Sequence, residues 1–394
     1  MTEDPVYRKM LCAALLVLAL LAPAAPAPAA PPGRQALLQS FLDSEHAAGM
    51  PGVYAEVRDG ATTYAFAAGV ADVRTGRPVR PWFRHRVGSI TKSFVATTVL
   101  QLVGERRVRL DAPIATYLPG LLPSDLGRHV TVRMLLQHTS GIGNYTDTLP
   151  ATIEGLESIR KRTFTPEELV AEGLALPPTN APGAGWSYSN TNFIVLGLLV
   201  ERVTRHSVES EIGRRILRPL GMRGTYFPGT DPYLRGPHDH AYVPEPDGTL
   251  HDFTVFNMSW GWAAGALIST PADLDRFYRS LLTGRLLSRH LLAQMERTVP
   301  IDSAHPESGG YGLGLFWLAT PCGRFWGHNG GVIGQATVSL HSIDGRRQVT
   351  LAENLTYYAT PSPIDDARNM FLTEALCPGT APTARLPGTL TTLR

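Results

Sequence analysis

The sequence predicts an α/β (α+β) fold: an antiparallel β-sheet flanked by helices, built from both ends of the chain, with an inserted, mostly helical domain. Strand-like segments lie near the N-terminal end and again beyond Gly310, whereas helical patterns and Gly- and Pro-rich loops fill the middle. The 394 residues allow a sizeable core, and 43% hydrophobic with 18% charged residues are typical of a globular protein. The net charge of +2 gives no reason to expect nucleic acid or an anionic membrane as a partner.

Residues 1–30 are predicted to be a signal peptide. Arg8 and Lys9 precede an apolar run, residues 10–22, and the small residues 24–30 offer several A-x-A cleavage options. The run of about 13 residues is short for a bilayer span, which needs about 20. An uncleaved anchor or a buried helix is the alternative. We therefore expect a secreted, extracellular protein whose mature chain has no membrane span.

The sheet domain is predicted to begin with residues 34–105. A helix is expected over residues 35–48, because apolar residues recur there at helical spacing. Two strands, residues 53–58 and 62–69, are joined by Asp59-Gly60, which is typical of a hairpin turn. Residues 93–103 form an apolar helix that Gly104 is placed to cap.

The helical insertion domain is predicted over residues 106–259. Thr165-Pro166 is a typical helix start, with a capping residue, proline at the first helical position and glutamate three residues after the cap. Thr270-Pro271 opens another helix, now within the second part of the sheet domain, residues 260–377.

Beyond Gly310 the pattern changes to short strands and a last helix. The strands are predicted over residues 311–316, 324–327, 336–342 and 349–353, and the helix over residues 363–376. Residues 378–394 are rich in Pro and Thr and are predicted to be a disordered tail.

Two cysteines, Cys322 and Cys377, lie outside the predicted signal. In an exported protein we expect them to form a disulfide, because the compartment is oxidising; two buried thiols are the alternative. Two isolated cysteines do not make a zinc site, and His238-Asp239-His240 has no evident third ligand. We therefore expect no metal and no cofactor.

Lys92 stands out because the chain has 36 basic residues but only three lysines. Arginine keeps its proton in proteins, whereas a buried lysine can release it. Lys92 lies three residues after Ser89; if Ser89 begins a helix, the two side chains share one face about a turn apart. Lys161 follows Ser158 at the same spacing, but it lies between two arginines, and we interpret that match as coincidence.

At a helix start Ser89 would lie among free N–H groups and positive potential, which suits a nucleophile whose attack creates an oxyanion. The apolar run after Ser93 would bury the Lys92 stem and lower its pKa. A simple helix cap is the alternative for Ser89. The chain lacks Gly-x-Ser-x-Gly, His-Glu-x-x-His and a phosphate-cradling glycine loop.

Further motifs follow Ser-x-x-Lys in order along the chain. They are Leu110-Asp111-Ala112-Pro113, residues 135–141 (LLQHTSG), Pro182-Gly183, Tyr188-Ser189-Asn190, Ala264-Gly265, residues 312–315 (GLGL) and residues 327–330 (GHNG). With residues 87–102, this set resembles the serine β-lactamase and penicillin-binding-protein superfamily over residues 38–377. It looks closest to the branch of D-alanyl-D-alanine carboxypeptidases, class C β-lactamases and related esterases.

The resemblance implies roles for named residues. Ser89 is the acylated nucleophile, and Lys92 takes its proton or holds Tyr188 as a phenolate that does so. Tyr188 then protonates the leaving group, and Asn190 hydrogen-bonds the substrate amide. The oxyanion hole consists of the backbone N–H groups of Ser89 and Gly331.

The remaining predicted substrate contacts also come from the resemblance. His328, Asn329 and Gly330 take the place of the family's Lys-Thr-Gly strand, and Trp260 lines the pocket. Phe316 stands where carboxypeptidases of this branch tend to place an arginine for the substrate carboxylate, and Asn329 replaces a threonine. An arginine is the strong partner for a carboxylate, so its loss favours a neutral or apolar group.

Structural alternatives exist for several of these residues. Tyr188 and Asn190 would then be a loop tyrosine and a helix cap, and residues 328–331 a plain hairpin turn. His138 is expected to be structural, bonding backbone in its turn.

The predicted function is a secreted serine hydrolase working through an acyl-enzyme on Ser89, first of all a D-alanyl-D-alanine carboxypeptidase-like peptidase. An esterase or β-lactamase of the same family is the alternative. A non-catalytic peptidoglycan- or lactam-binding module is the alternative of another class. The expected partner is a small-molecule or peptide substrate (peptidoglycan stem peptide, β-lactam or ester), and the expected state is a monomer.

Overall fold

The computed structural model describes residues 33–380. The predicted signal peptide lies outside the described residues, as does all but the first three residues of the predicted tail. Within residues 33–380, none of the helices has the length and apolar character needed to cross a bilayer.

The strands, in chain order, are β1 Gly52–Asp59, β2 Thr62–Asp72, β3 Arg77–Pro78, β4 His85–Arg86, β5 Tyr242–Pro244, β6 Leu250–Asp252, β7 Ile268–Ser269, β8 Val299–Pro300, β9 Gly309–Tyr311, β10 Phe316–Thr320, β11 Gly323–Val332, β12 Gln335–His341 and β13 Arg347–Glu353. The large sheet has nine strands in the order β3-β2-β1-β13-β12-β11-β10-β9-β8. Every pairing in it is antiparallel.

The helices are α1 Arg34–Ala47, α2 Thr91–Gly104, α3 Ser124–His129, α4 Val132–Gln137, α5 Ile153–Ile159, α6 Pro166–Ala175, α7 Asn190–Thr204, α8 Val208–Ile212, α9 Arg218–Leu220, α10 Trp262–Gly265, α11 Pro271–Leu282, α12 Arg289–Met295 and α13 Pro363–Leu376. Thr165 and Thr270 cap α6 and α11 as predicted, with proline at the start of each helix.

Both chain ends contribute to the sheet. β1 pairs with β13 from Val53↔Glu353 to Asp59↔Arg347, so residues about 300 positions apart in the sequence become neighbours. The helical segments between β4 and β8 lie between these two contributions. The predicted fold class is confirmed.

Two apolar layers cover the sheet and its neighbours. One packs α1 and α13 against the sheet, with Leu42, Val57, Leu351 and Phe371 fully buried. The other extends through α2, α7 and α11, and nearly every residue of α2 is buried in it. Because α2 is enclosed, the side chains at its beginning are removed from water.

Three details of the sequence interpretation are wrong. The strand expected over residues 311–316 is instead a turn between β9 and β10, because Gly314 has a positive φ of 69° and bends the chain there. A Cβ on Gly314 would lie 2.4 Å from the Cβ of Ala96, so this turn packs directly on α2. Gly104 is still helical, and the left-handed residue after α2 is Arg106. Residues 328–331 are not a hairpin turn but lie inside β11.

The predicted disulfide is present. Cys322, in the turn between β10 and β11, is bonded to Cys377 directly after α13, with their Cα atoms 5.5 Å apart. The bond therefore fastens the last helix to the end of a hairpin.

Candidate active site

Ser89 lies in a single 3-10 turn, Gly88–Ile90, that leads directly into α2. The turn fits closely against β11. A Cβ on Gly330 would come within 1.9 Å of the Val87 carbonyl oxygen and 2.7 Å of the Ser89 nitrogen. A Cβ on Gly88, whose φ is 53°, would lie 2.7 Å from the Gly331 nitrogen. Two glycines thus let the backbone of β11 approach the serine, which is 6% exposed.

Lys92 is fully buried one turn further along. Its Nζ contacts Ser89 Oγ at 2.9 Å, Asn190 Oδ1 at 2.6 Å and the Ala264 carbonyl oxygen at 2.8 Å. Burial holds the pKa of Lys92 well below the ordinary value, because the charged form loses its hydration. Lys92 therefore loses its proton at a lower pH than a free lysine side chain does.

The partners of Lys92 decide where its lone pair points after that loss. A carbonyl oxygen and an amide oxygen can only accept hydrogen bonds, so they retain the two remaining N–H groups. The lone pair is then directed at Ser89 Oγ, whose hydroxyl can donate. This arrangement is what a general base for Ser89 requires.

Tyr188, two residues before the start of α7, approaches the same oxygen. Its Oη donates to Ser89 Oγ at 2.8 Å, and its ring centre lies 5.0 Å from Lys92 Nζ. Burial raises the pKa of Tyr188 well above its usual value, and the hydrogen bond to Ser89 lowers it less. The opposite pKa shifts of the two side chains favour a neutral phenol and a neutral amine.

Asn190 is the first residue of α7, where Ser189 occupies the cap position. Its Nδ2 donates to Asn144 Oδ1 at 3.1 Å and to Thr146 Oγ1 at 3.0 Å, while its Oδ1 faces Lys92. Its role toward a substrate amide stays a prediction, because in this structure its amide hydrogens are directed at the protein. The sequence interpretation did not name Asn144 or Thr146, since neither belongs to a spaced motif.

A buried relay of hydrogen bonds joins His138 to His328. His138 Nδ1 faces two donors, the Ser189 N–H and Asn192 Nδ2, so its proton is on Nε2. Nε2 lies 3.2 Å from Tyr311 Oη, which lies 2.9 Å from His328 Nε2. His328 Nδ1 then donates to the Asn329 carbonyl oxygen at 2.5 Å. Sequence reasoning expected the backbone contact of His138 and missed Tyr311.

Both imidazoles of the relay are neutral. Burial and the nearby Lys92 lower the pKa of His138 well below its usual value and that of His328 to about 3. Both ring nitrogens of His328 are engaged by protein atoms, so its substrate contact stays a prediction.

Phe316 and the β11 residues that follow His328 lie beside this group. The Phe316 ring is buried, with its centre 5.3 Å from that of His328. β10 pairs with β11 only as far as Phe316↔Gly327, so Asn329, Gly330 and Gly331 lie beyond that pairing. Trp260 lies in the short 3-10 turn Met258–Trp260 before α10, and its carbonyl oxygen accepts from Tyr145 Oη at 2.5 Å. Its role in lining the pocket stays a prediction.

Within the described part of the chain, His, Cys, Asp and Glu form no group of three or more suited to a metal ion. His240 instead contacts Asp252 at 2.8 Å, which raises the pKa of the imidazole.

A buried serine between a pKa-lowered lysine and a tyrosine O–H, carried by this sheet-and-helix architecture, defines the class of active-site serine hydrolases. The chain belongs to the Beta-lactamase family, whose family model matches residues 35–372.

Individual relatives carry several activities in their names. A D-stereospecific amidohydrolase from Streptomyces sp. is 38% identical, with a TM-score of 0.78 over 88% of this chain and 99% of that chain. Esterase EstB of Burkholderia gladioli is 35% identical over 48% of this chain and 50% of the esterase. A penicillin-binding protein of Bacillus subtilis (strain 168) is 26% identical over 74% of this chain and 65% of its own length. The chain thus spans half to about two thirds of these two curated relatives.

Proposed function

We propose that this protein hydrolyses amide or ester bonds of small D-aminoacyl substrates through an acyl-enzyme on Ser89. The observation that carries the proposal is the hydrogen-bonded set Tyr188 Oη, Ser89 Oγ and Lys92 Nζ, which gives one hydroxyl both a base and a proton donor. The D-stereospecific amidohydrolase, matched over nearly its whole length, supports the D-aminoacyl class.

In the acylation step Lys92 accepts the Ser89 proton while Oγ bonds to the substrate carbonyl carbon. Tyr188 gives its phenolic proton to the leaving nitrogen or oxygen as that bond breaks, and the ammonium of Lys92 replaces the proton that Tyr188 has lost. One proton has then moved from the nucleophile to the leaving group, which departs as a neutral amine or alcohol. In the deacylation step water takes the place of the leaving group and bonds to the carbonyl carbon of the ester. Its proton passes through Tyr188 and Lys92 to Ser89 Oγ as the ester bond breaks, and the acid is released.

The oxyanion formed during both steps would be held by the N–H groups of Ser89 and Gly331. The register supports the second donor. Val332 and Gln335 flank a two-residue turn between β11 and β12, and such a turn closes on a hydrogen-bonded pair. Because pairs alternate along an antiparallel ladder, the N–H of Gly331 faces away from β12 and toward the Ser89 turn.

The charges around β11 favour a leaving group without a carboxylate. The resemblance assigns carboxylate contacts to positions 316 and 329, and here these carry a phenyl ring and a neutral amide. His328 is also uncharged, because its pKa is lowered to about 3 by burial. A simple amide or ester has a neutral leaving group, whereas a peptide ending in D-Ala-D-Ala releases an amino acid whose carboxylate needs a partner.

A D-alanyl-D-alanine carboxypeptidase is the second candidate, and the penicillin-binding relative supports it. The esterase relative supports an ester as the bond cleaved, and a β-lactamase is the third candidate for the same serine. We further propose that the protein is secreted, which the disulfide supports, and that it acts as a monomer.

The test compares turnover of D- and L-phenylalanine amide, a p-nitrophenyl ester and a peptide ending in D-Ala-D-Ala by the full chain. We expect the D-amide to be hydrolysed at least about 100-fold faster than the L-amide, a difference of about 2.7 kcal/mol in transition-state binding. Ser89→Ala should abolish turnover. Ser158→Ala is the matched control, because Ser158 also precedes a lysine by three residues and should be dispensable.

Other outcomes of this test would identify a different activity. Faster release of D-alanine from the peptide would show a carboxypeptidase. Ser89-dependent hydrolysis of the ester alone would show an esterase. Intact-mass analysis after incubation with a fluorescent penicillin shows whether Ser89 is acylated. Absence of both an adduct and any turnover would overturn the proposal and favour a binding module.

A further inference from the structure

Asn144 connects the loop after α4 with the start of α7. It directly precedes the 3-10 turn Tyr145–Thr148 and is half-buried. Its Oδ1 accepts two hydrogen bonds from one residue, the backbone N–H of Asn190 at 2.9 Å and the side-chain Nδ2 of Asn190 at 3.1 Å. Its own Nδ2 donates to Asp147 Oδ1 at 2.7 Å.

These contacts leave Asn144 one amide orientation. A backbone N–H can only donate, so it requires the oxygen of Asn144 on the α7 side. The carboxylate of Asp147 can only accept from the amide on the other side, which requires the nitrogen there. Both partners therefore select the same orientation.

The orientation of Asn144 in turn fixes that of Asn190. Because Asn144 presents an oxygen, Asn190 must present Nδ2 to it, and Thr146 Oγ1 accepts the other hydrogen of the same group. The remaining atom, Oδ1, then faces Lys92. The backbone N–H of Asn190 thus sets the orientation of the Asn144 amide and, through it, of the Asn190 amide. As a result, Lys92 faces an oxygen and not an N–H group.

The opposite orientation of the Asn190 amide would direct the lone pair of Lys92 away from Ser89. If Asn190 presented its N–H groups to Lys92, the neutral amine would accept from Asn190 with its lone pair and turn an N–H toward Ser89 Oγ. The base would then face away from the hydroxyl that it must deprotonate.

We propose that Asn144 is a positioning residue that keeps the lone pair of Lys92 on Ser89 by fixing the amide orientation of Asn190. This inference rests on the proposed role of Lys92 as the base for Ser89. Asn144 acts through Asn190 and does not itself touch the nucleophile in this structure.

The titration of Lys92 can be measured without any catalysis. The full chain has three lysines, so labelling with [ε-13C]lysine gives at most three signals, and Lys92→Arg assigns the one of interest. The titratable side chains around Lys92 are Tyr188, His138 and His328. All three stay neutral near pH 7, because burial raises the pKa of Tyr188 and lowers those of the imidazoles.

Two variants of Asn144 should move this titration in opposite directions. Asn144→Leu frees Asn190 to present N–H groups, which disfavours the ammonium, so Lys92 should titrate about 1 unit lower. Asn144→Asp keeps the acceptor for both N–H groups and adds a negative charge. It is made together with Asp147→Asn, because Asp147 Oδ1 lies 2.7 Å from Asn144 Nδ2 and a second carboxylate there would repel the first. In this protein Lys92 should titrate about 1 unit higher. Ser89-dependent ester hydrolysis should fall about 10- to 100-fold in the leucine variant and be largely retained in the aspartate variant.

Asn257→Leu is the matched control. Asn257 Oδ1 also accepts a backbone N–H, that of Ser259 at 2.9 Å, and its Nδ2 donates to Thr163 Oγ1 at 3.0 Å. Its substitution should lower the melting temperature and leave the Lys92 titration in place.

An unchanged Lys92 titration in both folded Asn144 variants would overturn the inference. A shifted titration in a protein without Ser89-dependent turnover would support the positioning role and refute the proposed function, so the two failures are distinguishable.

Discussion

The phenolic oxygen of Tyr188 donates a 2.8 Å hydrogen bond to Ser89 Oγ. Because burial raises the pKa of this phenol, the proton stays on Tyr188 until a leaving group withdraws it. A p-nitrophenolate leaves without protonation, whereas an amine does not.

Tyr188→Phe should therefore lower amide hydrolysis by about 10²–10⁴-fold and p-nitrophenyl ester hydrolysis much less. Steady-state kinetics on the two substrates measure the difference. Tyr278→Phe is the control, because burial also raises the pKa of the Tyr278 phenol, and Tyr278 contacts Ser93 Oγ at 3.0 Å rather than Ser89. Equal losses on both substrates would contradict the role as a proton donor.

Lys92→Arg should remove Ser89-dependent activity, because arginine keeps its proton and cannot act as a base. In the wild type, kcat/KM should fall as the pH drops through the pKa of Lys92, which burial places well below that of a free lysine. Lys161→Arg is the control, since Lys161 is exposed and three residues after a serine. An acid limb that survives in an active arginine variant would show that another group is the base.

Gly330→Ala should abolish acylation of Ser89. The added Cβ would lie 1.9 Å from the Val87 carbonyl oxygen, so β11 must move away from the Ser89 turn. Such overpacking typically costs about 1–3 kcal/mol of stability. Intact-mass analysis and thermal unfolding measure both effects. Gly213→Ala is the control, because a Cβ added there has no atom within 4 Å and should change neither acylation nor stability. A fully acylated Gly330→Ala protein would contradict the close packing of β11 against the Ser89 turn.

Glu45→Gln should make the protein more stable at pH 8. Burial and the adjacent Glu353, which pairs with Arg368, raise the pKa of Glu45. The folded state therefore holds a proton that the unfolded chain releases above about pH 4.3, the usual glutamate pKa. That contribution to stability is complete below the unfolded pKa and is lost as the pH rises through the folded one.

Denaturant unfolding between pH 4 and 9 tests this directly. The wild type should lose stability as the pH rises, and the glutamine variant should lose less. Ser44→Ala, which changes an exposed side chain of the same helix that does not titrate, should leave the pH dependence unchanged. A steeper loss of stability in the glutamine variant would show that Glu45 is ionised in the folded state.

Local residue patterns were enough to place most elements. The capping sequences at Thr165 and Thr270 and the Asp59-Gly60 turn act within a few residues, so they could be recognised without the fold. The Gly-Leu-Gly-Leu segment misled the strand prediction, because its bend depends on how Gly314 packs against α2. That contact joins residues over 200 positions apart.

By itself, the sequence determined the fold class, the disulfide pair and the one-turn spacing of Ser89 and Lys92, because these follow from periodicity, cysteine number and helix geometry. Only the tertiary structure decided which groups surround Lys92 and how their amides are oriented. Asn190 and Ala264 contact Lys92 from two separate segments, and Asn144 contacts Asn190 from a third. Hydrogen-bond direction depends on such non-local neighbours, and burial, which lowers the pKa of Lys92, exists only once the helices and the sheet have closed around it.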